Sequence, residues 1–186
     1  MHSEPDGARP QSLYALVIYL PDPLGAFLDD LRLEMVPSCN PHAHVSVLPP
    51  RPLPVAPEAA IEEAQGIVAG FASFDIELGV IEKFDVTDVI YIGVERGADR
   101  LREIHGSLNL GALAFQEPFV YHPHVTLAQE IPAGQVEALL ALSERRWREF
   151  RGPRQFRAET TVFVRNTGGK QWTDLASGPL RANRVG

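Results

Sequence analysis

Two stretches of the chain, Ser12–Leu48 and Val86–Ala128, read in one order: apolar strand, amphipathic helix, then a second strand carrying histidines. No other feature restricts the fold as much. Ser12–Leu20 is almost wholly apolar, with the length and β-branched or aromatic content of a buried strand. Pro21 stops it. Asp22 stands where it can cap a helix beginning near Pro23, with Leu24, Phe27, Leu28 and Leu31 as the inward stripe. Pro37–Pro41 breaks that helix, and His44–Leu48 follows as a short strand ended by Pro49-Pro50. The second copy predicts a strand over Val86–Val94, a helix over Arg100–Ala114 and a strand over Phe119–Ala128. The residues themselves do not repeat, so the similarity is one of supersecondary order.

The rest of the chain reads as a helix from Pro57 and an alternating strand at Phe74–Leu78. A helix over Pro132–Leu142 and a strand over Phe156–Val164 come next. A hairpin at Thr167-Gly168-Gly169 then leads into a last strand, Gln171–Leu175. Strands and helices mix without clean alternation, which predicts an α+β protein with antiparallel pairing rather than a doubly wound sheet. At 186 residues the chain can bury a substantial core. We expect one domain over residues 12–176, with loose termini at 1–11 and 177–186.

Composition removes several classes of function. The single cysteine, Cys39, excludes an internal disulfide and any zinc site built from several cysteines. A formal charge of -7 leaves no basic coat for nucleic acid, although local patches still bind phosphate. No apolar run reaches the roughly 18 residues of a membrane span. Met1–Gln11 is polar and acidic, unlike a secretion signal, so the expected location is cytoplasmic. Gly66–Gly70 and Gly168–Gly169 match neither a dinucleotide fingerprint nor a Walker loop, so no ATP or NAD cofactor is expected. No membrane contact and no obligate protein partner is indicated.

Chemistry is concentrated in the two histidine strands. His42-Ala43-His44-Val45-Ser46-Val47 and His122-Pro123-His124-Val125-Thr126-Leu127 each place a hydroxyl two residues after a histidine, between apolar neighbours. Period-two geometry puts His44 with Ser46 on one face, and His124 with Thr126 on one face. If the strands are symmetry mates, two imidazoles and two hydroxyls converge on one cleft. Such a set suits attack on a cyclic phosphate. One imidazole takes a proton from water, the other gives one to the leaving oxygen, and the hydroxyls hold non-bridging oxygens. That chemistry requires no metal. The pairs His42/His44 and His122/His124 also have metal-ligand spacing, but no Asp, Glu or Cys sits within either motif.

Eight Lys and Arg residues fall between Arg145 and Lys170 against Glu149 and Glu159 alone, either a solvated face or a phosphate-facing rim. Within that stretch Arg165 is the leading candidate for phosphate contact, with Arg51, just past the first motif, the second. Tyr14, Phe84, Tyr121 and Trp172 are candidates for a wall on which a base or ribose stacks.

The twin motifs resemble those of the 2H phosphoesterase superfamily, and more closely the bacterial RNA 2',3'-cyclic phosphodiesterases, also called the 2'-5' RNA ligase family. The likeness covers Leu13–Val164, and Pro123-His124-Val125-Thr126-Leu127-Ala128 is its most family-like string. The resemblance implies a bilobal fold of two antiparallel-sheet lobes with pseudo-twofold symmetry, helices on the outer faces and the active cleft between the lobes. It implies His44 as general acid on the leaving ribose oxygen and His124 as the base that activates water. Ser46 and Thr126 become phosphate ligands, and a 2'-phosphate is the product. The implied ligands are RNA ends or small cyclic nucleotides, and some relatives join RNA ends through a 2'-5' linkage. Gln129 and Thr87-Asp88 stand where relatives often carry a basic residue and Pro-Arg.

Overall fold

The first apolar run becomes β1 (Leu13–Tyr19) in the computed structural model, which describes residues 12–166, 168 and 171–182. The chain continues through α1 (Leu24–Met35), β2 (His44–Arg51), α2 (Pro57–Val68), β3 (Phe74–Lys83), β4 (Ile90–Arg96) and α3 (Ala98–Leu108). A 3-10 turn at Gly111–Leu113 precedes β5 (His124–Ala128), α4 (Val136–Glu149), β6 (Gln155–Ala158), β7 (Thr160–Asn166) and β8 (Trp172–Pro179).

The strands form two four-stranded antiparallel sheets, ordered β2-β1-β7-β8 and β5-β4-β3-β6. Each histidine strand lies at a sheet edge beside the strand that precedes it through a helix. The two orders match position for position, β2 with β5 and β1 with β4, so the duplicated order in the sequence becomes a duplicated topology. The crossover helices do more than cover their own sheets. α1 packs against β5 and α4, while α3 packs against β2 and α2, so each helix braces the opposite histidine strand. Phe27 of α1 stacks on Phe150 just beyond α4, with ring centroids 4.4 Å apart.

One core runs through both sheets. It joins Leu16, Ile18, Val45 and Val47 to Ile90, Ile92, Val125 and Leu127. A one-residue slip of β2 or β5 would expose buried side chains worth about 1.5–3 kcal/mol each and bury the imidazoles instead. The apolar residues that alternate with the histidines therefore fix where the histidines point.

The structure corrects several boundaries. The expected Phe156–Val164 strand is two strands: β6 pairs with β3, then the chain passes Glu159 and β7 pairs with β1 in the other sheet. Val86 is 82% exposed, Asp88 takes a left-handed backbone (φ 53°), and the strand starts only at Ile90. The Arg100–Ala114 helix shifts to Ala98–Leu108; beyond it the Asn109 side chain accepts from the Phe115 N–H and donates to the Phe115 carbonyl. Phe119–Pro123 is irregular, and the Pro132–Leu142 helix lies instead at Val136–Glu149. The tail is not loose from residue 177. β8 runs to Pro179, Leu180 is buried, and the Arg181 N–H donates to the Phe71 carbonyl. Residues 1–11 and 183–186, and Thr167, Gly169 and Lys170 of the expected hairpin, lie outside the described residues. No described helix is long and apolar enough to cross a membrane.

Candidate active site

On β2, His44 lies opposite Tyr19 and Ser46 opposite Val17; on β5, His124 lies opposite Gly93 and Thr126 opposite Tyr91. All four side chains of the two motifs are half-buried, and their neighbours Val45, Val47, Val125 and Leu127 are buried on the opposite face. β2 and β5 pack directly against each other. The Tyr121 hydroxyl, from the segment entering β5, donates to the Ser46 carbonyl at 2.8 Å. His124 is close enough for its charge to act on His44.

Both imidazoles are anchored in the same way. His44 Nδ1 lies 2.7 Å from the His42 carbonyl, and His124 Nδ1 lies 2.6 Å from the His122 carbonyl. A carbonyl only accepts, so Nδ1 carries the proton in both rings and Nε2 of each neutral ring keeps its lone pair. Burial pushes His44 down to about 4; the His42 carbonyl opposes this, and the charges of Arg32, His42 and His124 add to it. Burial also lowers His124, against the bond to the His122 carbonyl. At neutral pH the cleft thus presents two uncharged rings with unprotonated Nε2 atoms. An arriving anion favours protonation of one of them.

The H-x-H spacing finds its explanation here. The first histidine of each pair lends its backbone carbonyl, and its ring goes elsewhere. The His42 ring stacks on Tyr19 at 3.5 Å, and the His122 ring meets Phe84 and Tyr91 edge-on. Among the described residues no group of three or more His, Cys, Asp or Glu is placed to hold a metal ion.

Tyr19 and Tyr91 form aromatic walls that the sequence reading does not single out. The Tyr19 hydroxyl donates to Asp174 at 2.6 Å, while Tyr91 stacks on Phe84 at 4.0 Å and bonds Glu82. Their signal is register: Tyr19 and Tyr91 sit directly across from His44 and Thr126. Trp172 packs beside Tyr19 over Ala15, Val17 and Val164, on the face that His44 shares. Arg32 is a further omission, although it occupies the fourth position after Leu28 in a helix whose buried stripe includes Leu28, Leu31 and Met35.

Four expected ligand contacts are not supported by the positions of their side chains. Arg51 is 1% exposed. Its guanidinium donates to Asn109 at 2.7 Å, to the Leu113 carbonyl at 2.8 Å and to the Pro49 carbonyl, and it pairs with Glu117. All of it is used inside the protein. Tyr14 faces the helix-packed core with Phe163, on the side of β1 opposite Tyr19. Arg165 pairs with Tyr14 in register and so projects from that same far side. The Tyr121 ring is already stacked on His105 at 4.0 Å. In the basic stretch, Arg146 pairs with Glu34 and Arg157 with Asp75, while Arg154 lies over Trp147.

Comparison with solved structures finds the same fold. E. coli LigT complexed with phosphate has 17% identity, covering 94% of this chain and 99% of that one, at a TM-score of 0.60. LigT complexed with 3'-AMP has 16% identity, 92% and 98% coverage, and a TM-score of 0.63. The TT0787 protein of Thermus thermophilus has 19% identity, 92% and 100% coverage, and a TM-score of 0.63. Comparison with curated proteins finds no match. A family profile matches residues 20–170, a span that takes in both histidine strands and the helices bracing them. With its paired sheets and paired histidine motifs, the chain belongs to the 2'-5' RNA ligase superfamily, the 2H phosphoesterases.

Proposed function

We propose that this protein opens a 2',3'-cyclic phosphate, at an RNA end or on a small nucleotide, to give a 2'-phosphate. The observation that carries the reading is the pair of imidazoles on adjoining strands, each fixed through Nδ1 so that Nε2 is free. Water attacks phosphorus, one Nε2 takes the water proton, and the P–O3' bond breaks. The second imidazole delivers a proton to O3'. His124 is the base and His44 the acid. Ser46 and Thr126 donate hydrogen bonds to the non-bridging oxygens, where charge gathers. Burial, with a lesser share from nearby positive charge, keeps His44 unprotonated; the negative charge of a seated phosphate opposes both, so the acid becomes competent with substrate in place. A 5'-hydroxyl in place of water would give a 2'-5' linkage by the same route.

LigT has been solved with phosphate and with 3'-AMP, which supports a phosphate ester as the ligand class. Product analysis on a panel of 2',3'- and 3',5'-cyclic phosphates, with and without EDTA, tests the reading. The expected result is a 2'-phosphate from the 2',3' substrates, unaffected by chelation and absent from His44→Ala and His124→Ala proteins. Tight binding of cyclic nucleotides without turnover by the unmodified protein would make this a binding module instead.

A further inference from the structure

We propose that Arg32 is an anion-binding residue of the cleft, its guanidinium receiving a phosphate oxygen of the ligand beside His44. The inference deepens the function proposed above and rests on its reading of the ligand as a phosphate ester. Arg32 lies in the last turn of α1, the helix that packs against β5. It is half-buried, its Nε is shut off from solvent with no hydrogen-bond partner, and among the described residues it makes no ion pair. Its charge nevertheless reaches the His44 ring.

The Arg165 Nε is likewise buried without a partner, but that side chain projects from the far side of its sheet, away from the histidines; the remaining arginines near the fold's charged groups are mostly paired. Arg51 is paired with Glu117, Arg146 with Glu34, Arg157 with Asp75, Arg100 with Glu103 and Arg102 with Asp99. Cys39 and, one turn before Arg32, Asp29 are within electrostatic reach, but neither forms an ion pair with it, and the Asp29 Oδ1 accepts from the Ala43 N–H at 2.6 Å. Cations near a helix C-terminus are favoured by the helix dipole, but an exposed head group gains that benefit fully. Drawing an unpaired guanidinium out of water works against the fold unless an anion arrives to meet it.

The duplicated topology sharpens the contrast. Superposing the buried positions Gly25, Leu28, Leu31 and Met35 of α1 on Ala98, Leu101, Ile104 and Leu108 of α3 sets Arg32 against His105. His105 has its partners inside the protein, with its Nε2 2.9 Å from Glu117 and its ring stacked on Tyr121. One half of the pseudo-symmetric pair is thus satisfied within the protein. The other half holds a cation that makes no ion pair and whose buried Nε has no hydrogen-bond partner, within electrostatic reach of an imidazole that the chemistry uses.

The test is titration with inorganic phosphate, followed by calorimetry and by the NMR resonances of the His44 ring. The proteins are wild type, Arg32→Met, Arg32→Lys and, as a control for net charge, the exposed Arg100→Met. Loss of one charge-assisted contact should weaken phosphate binding by about 10–100-fold in Arg32→Met. Arg32→Lys should recover part of it, and Arg100→Met should bind as wild type does. The His44 ring should take up its proton at higher pH in Arg32→Met but not in Arg100→Met, which places the Arg32 charge beside the ring, while the loss of phosphate binding is what assigns it the anion. Equal phosphate binding by wild type and Arg32→Met, or equal losses in Arg32→Met and Arg100→Met, would overturn the proposal. The two readings separate cleanly. Arg32-dependent phosphate binding in a protein that turns over no cyclic phosphate defeats only the function above, whereas unchanged KM and kcat in Arg32→Met defeat only this one.

Discussion

The Tyr121 hydroxyl donates to the backbone carbonyl of Ser46 at 2.8 Å, so the segment that delivers His124 is tied to the strand that carries His44. Behind it the Tyr121 ring stacks on His105, His105 bonds Glu117, and Glu117 pairs with Arg51 at the end of β2. The two motifs are therefore held by a continuous polar and aromatic chain as well as by the shared apolar core. Burial pushes the Tyr121 phenol up, which keeps it a donor across the working pH range.

Tyr121→Phe should accordingly cost about 1 kcal/mol, because the Ser46 carbonyl loses its partner. In a chain of this size that is a fall of about 2–4 °C in Tm. Activity per folded molecule should fall further, by up to about tenfold, since small displacements between reacting groups are expensive in rate. Calorimetry and steady-state kinetics on the same preparation check both. Unchanged kcat with an unchanged Tm would show that the contact positions nothing.

His44→Ala and His124→Ala should each lower kcat by about 10²–10⁴-fold, the usual worth of a positioned proton donor or acceptor. The double variant should lose far less than the product of the single losses, because the two rings act as a unit. Ser46→Ala and Thr126→Ala should lose about 10–100-fold, the worth of one hydrogen bond to a charged oxygen. Near-full activity in either histidine variant contradicts the assignment.

Much of this architecture is legible in the chain. Alternation of His44 and Ser46 with Val45 and Val47 suffices to aim the first motif, and the same holds at His124, because strand periodicity is local. The shared function of His42 and His122 is not legible, since a backbone carbonyl leaves no mark on residue type. Glu159 shows why the sheet change is hidden: β6 and β7 have the same apolar period, and only pairing partners reveal that they belong to different sheets. Arg51 and Arg165 mislead for a related reason. Proximity to a motif says nothing about which face a side chain takes, and Arg51 meets Glu117 sixty-six residues further along the chain. Arg32 carries a readable sign, a cation inside an apolar helical stripe.

Arg51→Met should unfold the protein readily while leaving ligand affinity alone. Removing one member of a buried ion pair strands the other, here Glu117, and typically costs about 3–5 kcal/mol. The urea midpoint should drop accordingly, and Glu117→Gln should also lower it. Once corrected for the folded fraction, KM should match wild type, and any loss in kcat should not exceed that of Tyr121→Phe, since Tyr121 is the residue through which Arg51 reaches the motifs. A selective rise in KM at full stability would return Arg51 to the ligand-binding residues.

Acid pH should expose the cost of keeping both imidazoles buried. A free histidine gains its proton near 6.5, whereas folded His44 holds out to about 4 and His124 is lowered as well. Between those values the unfolded chain binds more protons than the folded one. Stability is then complete above about pH 6.5, declines as pH falls, and has lost His44's share near pH 4, on the order of 3 kcal/mol. Urea midpoints measured from pH 8 to 4 should therefore fall more steeply for wild type than for His44→Gln, and parallel curves would contradict the shift. Kinetics supply the companion test. The free enzyme needs one ring protonated and one neutral, so kcat/KM should peak on the acid side of 6.5. The optimum of kcat should lie closer to neutrality, because bound phosphate draws a proton onto His44. A kcat/KM still rising above pH 7 would mean that the proton donor is not a buried imidazole.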